Sequence, residues 1–279
     1  MPVIKLYQHG STSGTAPLKN THERARRSDV QGWTPKTARS NTAFLRSVTL
    51  SKLWGHGFAF TLTLKTCPLT HQHWHKLRDN YIKRLKRNGL IRLHWVTEWQ
   101  RRGVPHLHGV AYFETKEGVP QALINTWVSM TYEYGSREFA QDVKPINDSL
   151  GWLKYLAKHA SRGASHYQRS PENIPEGWLK TGRIWGKSGD WPTEDPLEFE
   201  LDNLANFAYR RIIRRLRIAE ARTPVHGQIN SSAIRHARSM LKSNNPNESQ
   251  VRGTSIWLPL DTNLAIMTYL KAAGHDVSM

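Results

Sequence analysis

Hydrophobic and polar positions change period several times along the chain, and each change marks an element. Phe58-Ala59-Phe60-Thr61-Leu62-Thr63-Leu64 alternates large apolar with small residues, which predicts a strand with one buried face. Beyond Pro68 and Thr70, Trp74, Leu77, Tyr81, Ile82 and Leu85 recur at three- and four-residue intervals. A helix follows there, and Gly89 is a fitting stop. Its other face carries Lys76, Arg78, Lys83, Arg84, Lys86 and Arg87, a pattern that suits a solvated surface and a DNA contact equally well. Two more strands are read around 91–100 and 105–113, joined by Arg101-Arg102-Gly103-Val104-Pro105. A helix near 119–132, a strand near 139–145 and a helix near 147–161 complete the body. Strands with helices between them and short connections predict an α+β fold, a sheet carrying helices on one face.

The flanks read differently. Residues 1–50 are rich in Ser, Thr, Lys and Arg without a sustained period, as expected of a basic, partly flexible arm in which only Lys36–Val48 forms a short helix. Residues 162–197 are loop-like, with Gly, Pro and Ser throughout. Beyond them a basic helix is expected at about 199–222, then helices near 231–242 and 261–273. The expected division is therefore an arm (1–50), a body (51–197) and a basic helical C-terminal region (198–279).

Charge narrows the partners. Forty Lys and Arg against 22 Asp and Glu give a net charge of +18 and a pI near 10.2, an excess that favours polyanions through counterion release. No apolar run approaches the ~20 residues that span a bilayer, and MPVIKLYQHGSTSG lacks the apolar core of a signal peptide, so a cytoplasmic protein is expected. The hydrophobic fraction of 38% suffices for a core, although the mean hydropathy of -0.61 marks a well-wetted chain. Cys67 is the only cysteine, which excludes an internal disulfide and a Cys-rich zinc module. Any metal must be held by His and carboxylate.

Such a set occurs in Glu98-Trp99-Gln100-Arg101-Arg102-Gly103-Val104-Pro105-His106-Leu107-His108. In a strand, His106 and His108 share one face and Leu107 takes the other. If the hairpin turn centres near Arg102, Glu98 lies opposite His106, with Cβ atoms about 5 Å apart. Leu93, Trp95, Trp99, Leu107, Ala111 and Phe113 then form an apolar opposite face. Two imidazoles and a carboxylate suit Mn²⁺ or Mg²⁺ with positions open to substrate oxygens. His94 shares the face by parity but is left out of the ligand set.

Two other tracts imitate sites. His71-Gln72-His73-Trp74-His75 falls at a helix start where only His71 and His75 share a face, so a surface or DNA-proximal helix end is expected. Gly182-Arg183-Ile184-Trp185-Gly186-Lys187-Ser188 resembles a P-loop, but Thr181 stands where its first glycine belongs, and no apolar strand precedes it. ATP binding is rejected there.

Gly151-Trp152-Leu153-Lys154-Tyr155-Leu156-Ala157-Lys158-His159 reads as a helix on which Tyr155 and Lys158 share one side, with Leu153, Leu156 and Ala160 supplying packing surface. A phenol is a poor nucleophile at neutral pH unless a cation or metal stabilises its oxyanion, and Lys158 can do so. Tyr167 is the rival, but no lysine follows it at the third position.

In this order, Phe60-Thr61-Leu62-Thr63, Glu98 with His106-Leu107-His108, and Tyr155-Leu156-Ala157-Lys158 resemble the motifs of the HUH endonuclease superfamily. The closest likeness is to the rolling-circle replication initiators of filamentous bacteriophages. Trp95–Gly109, Tyr155–Arg169 and Trp185-Gly186-Lys187-Ser188-Gly189-Asp190-Trp191-Pro192 share it, over about residues 32–222. The resemblance implies a five-stranded antiparallel sheet and a divalent metal, Mg²⁺ or Mn²⁺, on Glu98, His106 and His108. It implies that Tyr155 attacks DNA to leave a 5′-phosphotyrosine and a free 3′-OH, assisted by Lys158. Single-stranded or extruded origin DNA is the implied substrate, with host helicase and polymerase as partners in a bacterial cytoplasm. Arg101, Arg102, Arg211 and Arg214 are the expected DNA contacts. The alternatives are a relaxase or transposase of the same superfamily, a metal-dependent phosphodiesterase using water, and a non-catalytic nucleic-acid-binding protein.

Overall fold

The alternation around residues 56–113 builds the centre of a five-stranded antiparallel sheet, ordered β6 (Asp142–Ile146), β3 (His56–Thr63), β5 (Pro105–Phe113), β4 (Leu90–Trp99), β7 (Trp185–Ser188). The computed structural model describes residues 1–15, 31–146, 148, 151, 152, 155, 158, 159, 162, 164, 166–224, 229, 231–239 and 258–279. They fall into two compact units, one of Ala25–Asn41 and Leu50–Pro192, the other of Met1–Arg24, Thr42–Thr49 and Thr193–Met279. Among the described residues no helix is long and apolar enough to cross a membrane.

In the first unit, Glu98 pairs with His106, Val96 with His108, Thr61 with His108 and Thr63 with His106. Phe58, Phe60, Leu62, Leu93, Trp95, Trp99, Leu107, Ala111 and Phe113 are buried in one core with Trp74, Tyr81 and Leu85 of α2 (His71–Arg87) and Leu123 and Trp127 of α3 (Val119–Thr131). Thr70 caps α2, its side chain accepting from His73 N at 3.3 Å, and Arg84, Lys86 and Arg87 complement the helix dipole in its last turn. Tyr81 OH donates to Leu123 O at 3.2 Å, and Trp127 Nε1 to Thr63 O at 3.2 Å, which tie helix to helix and helix to sheet. Gly109 is required by a close approach: a Cβ there would lie 2.3 Å from Phe60 Cζ and 2.6 Å from His94 O. With this face buried by helices, His94, Glu98, His106 and His108 collect on the other.

The stretch resembling a P-loop is β7, whose Trp185, Gly186, Lys187 and Ser188 pair with Val96, Trp95, His94 and Leu93 at the sheet edge. The loop expected over 162–197 thus contains a strand. Four residues including a glycine carry too short an alternation to announce it.

The second unit corrects the reading of both flanks. Residues 1–50 do not form an arm throughout: β1 (Pro2–Tyr7) and β2 (Gly10–Thr15) make a hairpin. β1 also pairs with β8 (Leu197–Leu201), and β9 (Val277–Ser278) closes a four-stranded sheet ordered β2-β1-β8-β9. The C-terminal region is therefore not purely helical. Its helices are α4 (Asn203–Arg222), α5 (Ser231–Ser239) and α6 (Leu260–Ala272), and α1 (Pro35–Ser47) occupies the helix expected at 36–48. Ile4, Leu6, Leu201, Tyr209, Ile213, Ile266 and Leu270 form its core. Tyr209 OH lies 2.7 Å from Ser11 Oγ and 2.8 Å from Asn263 Oδ1, a buried polar junction of strand and helices. Residues 16–30 of the expected arm and the polar run 243–247 lie outside the described residues.

Candidate active site

Each candidate side chain on the polar sheet face is positioned by strand register. Glu98 is fully buried. Arg169 Nε donates to its Oε1 at 2.8 Å, and Arg162 Nη1 donates to its Oε2. His108 Nε2 stands 3.4 Å from the same Oε2, and His108 Nδ1 is 2.8 Å from Thr61 Oγ1. The rings of His106 and His108 are 5.1 Å apart. The Nε2 atoms of both are buried without a hydrogen-bond partner. Burial, with Arg102 and Arg162 nearby, holds His106 at about 4. Burial, with His106 and Lys158 nearby, holds His108 well below 6.5. Both rings are therefore neutral at physiological pH, the form in which imidazole binds a metal.

The helical positions 151, 152, 155, 158 and 159 lie against this face. Trp152, Tyr155 and His159 follow one another at three- and four-residue spacing, and all three are buried. Ring centroids run 5.7 Å from Trp152 to Tyr155, 4.6 Å from Tyr155 to His159, and 5.5 Å from His159 to His108. Rings thus stack continuously from Trp152 to His106. Tyr155 is only 5% exposed. Its hydroxyl lies 2.7 Å from His94 Nδ1, and His94 Nε2 lies 2.7 Å from Asn41 Oδ1. An amide oxygen only accepts, so His94 carries its proton on Nε2, and Nδ1 accepts from the tyrosine. Burial pushes the Tyr155 phenol well above 10, and burial with the nearby Arg169 holds His94 down to about 3. The proton stays on Tyr155. The nucleophile candidate is latched to His94, two pleats along β4 from Glu98. Lys158 is exposed, and burial of its stem together with Arg162 lowers its pKa.

Comparison with known proteins identifies the chain's kin. A family model for replication-associated protein ORF2/G2P matches residues 57–161, from β3 through the turn carrying Tyr155. Replication-associated protein G2P of Pseudomonas phage Pf3 is 42% identical over 283 residues, covering 99% of both chains. The chain belongs to the ORF2/G2P family of replication-associated proteins. A Xylella fastidiosa (strain 9a5c) chain named as a replication protein is 41% identical over 285 residues, covering 100% of this chain and 99% of that one. No solved structure matches.

Within this ORF2/G2P chain the expected site residues separate into groups. Glu98, His106 and His108 share one face, with Tyr155 one ring away from His108 through His159. Yet among the described residues no three His, Cys, Asp or Glu side chains are gathered so as to hold a metal ion, and the Glu98 carboxylate is turned to two guanidiniums. Arg101 stacks on Tyr167 at 5.2 Å, and Arg102 donates to Gln100 Oε1 and to the carbonyls of Leu64 and Lys65. Arg211 and Arg214 lie on α4 of the other unit. Tyr167, the rival nucleophile, is half exposed in a short 3₁₀ turn. Of the histidine tract, His71 and His75 face each other at 5.6 Å, and His75 Nε2 is 2.9 Å from Thr181 O. The packing expected of Leu153, Leu156 and Ala160 lies outside the described residues.

Sequence reasoning missed Arg162, Arg169, His159, His94 and Asn41 as parts of this site. Parity along β4 was the one signal available, and it did put His94 on the face. The two arginines come from 64 and 71 residues beyond Glu98, in a stretch with no period to place them.

Proposed function

We propose that this chain initiates rolling-circle replication by cutting a single-stranded origin with Tyr155, as the HUH nucleases do. One observation carries the reading: a half-buried and a buried imidazole, whose Nε2 atoms lack a hydrogen-bond partner, stand beside a buried carboxylate, with Tyr155 and His159 packed against His108.

By their chemistry these donors suit a divalent ion once Glu98 turns from Arg162. With Nδ1–H of His108 donating to Thr61, the Nε2 lone pair is left for a metal, and His106 offers its own once its proton sits on Nδ1, in place of the long 3.4 Å contact from Gln100 Nε2. Glu98 can join through Oε2, the oxygen nearest His108, in exchange for Arg162. Mg²⁺ or Mn²⁺ held there would polarise a non-bridging phosphate oxygen. The protein's own part follows. Arg162, released from Glu98, and Lys158 present cations to the phosphate and offset charge developing on it. Tyr155 leaves His94, and its oxygen attacks phosphorus in line. The O–P bond forms as the P–O3′ bond breaks, the phenolic proton passes to water, and the departing 3′ oxygen takes a proton from solvent. The 5′-phosphotyrosine keeps the bond energy, so a 3′-OH can reverse the step without ATP. The free 3′-OH implies host polymerase and helicase as partners.

The burial of Tyr155 favours a second reading, in which the tyrosine is structural and a water attacks. A single experiment separates the two. Incubating the protein with Mn²⁺ and end-labelled single-stranded DNA carrying the origin of the replicon that encodes it should give a denaturant-resistant protein–DNA adduct that Tyr155→Phe abolishes. Nicking without an adduct, retained in Tyr155→Phe, would establish the water reading.

A further inference from the structure

Beside His106 the sheet ends in a cavity of about 500 Å³, whose lining includes Thr63, Lys65, Arg102, Arg137, Phe139 and Gln141. A hydrogen-bonded chain connects it to the imidazole. Gln100 Nε2 donates to Thr63 Oγ1 at 2.7 Å and lies 3.4 Å from His106 Nδ1, while Gln100 Oε1 accepts from Arg102. Thr63 is itself the β3 partner of His106. The inner wall is fixed. The Gln141 side chain accepts from Thr63 N at 2.8 Å and donates to Arg137 O at 2.8 Å, and Ser136 Oγ and Trp127 Nε1 both donate to Thr63 O at 3.2 Å.

The lining contains three cations and no carboxylate. The nearest acid in its segment, Glu138, has a carboxylate oxygen 3.3 Å from Gln121 Nε2. At the rim Phe139 is 91% exposed, and Arg137 lies over the 68% exposed ring of Tyr132 at 5.2 Å. Apolar lining (buried Leu64 and exposed Ala140), an aromatic rim and surrounding cations are the requirements of a site for an unpaired nucleotide, whose base has a π-face and whose backbone carries charge. The volume lies within the range of small-molecule pockets.

We propose that this cavity seats one unpaired base of the DNA strand next to the phosphate held at His106 and His108. Phe139 stacks on that base, while Lys65 and Arg137 meet the backbone phosphates on either side. The base must be out of a duplex to enter, so the cavity selects single-stranded or extruded DNA. The inference rests on the DNA-cutting reading above and adds to it a specificity subsite away from the reacting atoms.

The test uses metal-free binding, so that cutting plays no part. A fluorescein-labelled single-stranded 16-mer from the origin of the replicon that encodes the chain is titrated with the full-length chain by fluorescence anisotropy, then retested with one abasic position moved along it. Wild type should lose between about fivefold and a hundredfold in affinity at one abasic position, the worth of a single stacked base. Phe139→Ala should lose a similar factor on the intact strand, and that abasic position should then cost nothing further. Lys65→Ala and Arg137→Ala should each flatten the salt dependence by roughly one phosphate contact. Phe139 is almost wholly exposed, so its removal leaves the fold intact. If Phe139→Ala binds as wild type does, or the abasic penalty is unchanged in it, the subsite is refuted while DNA binding stands. Absence of wild-type binding to the 16-mer would refute the subsite and the DNA reading together.

Discussion

Glu98 shows what single residues decide here. A buried carboxylate is tolerated because two guanidiniums hold it, and the two differ: Arg169 is fully buried and lies over the Trp33 ring at 3.8 Å, whereas the Arg162 side chain is 14% exposed. Removing Arg169 leaves a buried charge poorly compensated, and Arg169→Ala should cost about 3–5 kcal/mol in urea unfolding. In the proposed metal site Arg162 would compete with the ion for the same carboxylate oxygen, so Arg162→Ala should bind Mn²⁺ more tightly than wild type in calorimetric titration. Unchanged or weaker binding would remove Glu98 from the ligand set. The alternation of β4 and β5 made Glu98, His106 and His108 legible, since side-chain direction in a strand is local. Their partners were not. Which guanidinium reaches Glu98, and that His94 rather than bulk water receives the Tyr155 hydroxyl, depends on where Tyr155, Arg162 and Arg169 come to lie against the sheet. No local pattern encodes that placement.

At the scale of elements, legibility followed the contrast between faces. The β4–β5 hairpin could be registered because a one-residue slip would carry Leu93, Trp95, Leu107 and Ala111 to the polar side. Gly109 enforces the same register from within, where the Phe60 ring and the His94 carbonyl occupy the place of a side chain. Gly109→Ala should therefore cost about 1–3 kcal/mol, as overpacking does, and a denaturation midpoint equal to wild type would contradict the tight packing. β1 and β2 gave no comparable contrast. Gly10-Ser11-Thr12-Ser13-Gly14-Thr15 has no large apolar residue, and the other strand that pairs with β1 arrives only at Leu197–Leu201. Lys5 pairs with Glu198 and is ion-paired to it, a contact spanning most of the chain. Sequence read in windows sees six polar residues there, and expects an arm.

Across the whole molecule, buried neutral histidines set the response to acid. Burial holds His9 at about 4 in the second unit, and His94 and His106 at about 3 and 4 in the first. Burial likewise keeps His108 and His159 well below 6.5. Unfolded, each titrates near its ordinary 6.5. Between that value and the folded one the unfolded chain binds more protons, so stability rises with pH across the interval and is lost as pH falls below about 6.5. At pH 5 the loss should be on the order of 1–2 kcal/mol for each such histidine, limited by local relaxation. Net charge acts in the same direction: a chain already at +18 gains further positive charge on acidification, which penalises the compact state. Metal-free protein should thus show urea midpoints that are level from pH 8 to 7 and fall steeply from pH 6.5 to 5. His9→Gln should soften the fall in the second unit, because glutamine has no proton to gain. A midpoint constant down to pH 5 would mean that these imidazoles are solvated or protonated in the folded chain. They would then not be the neutral donors that the proposed metal site requires.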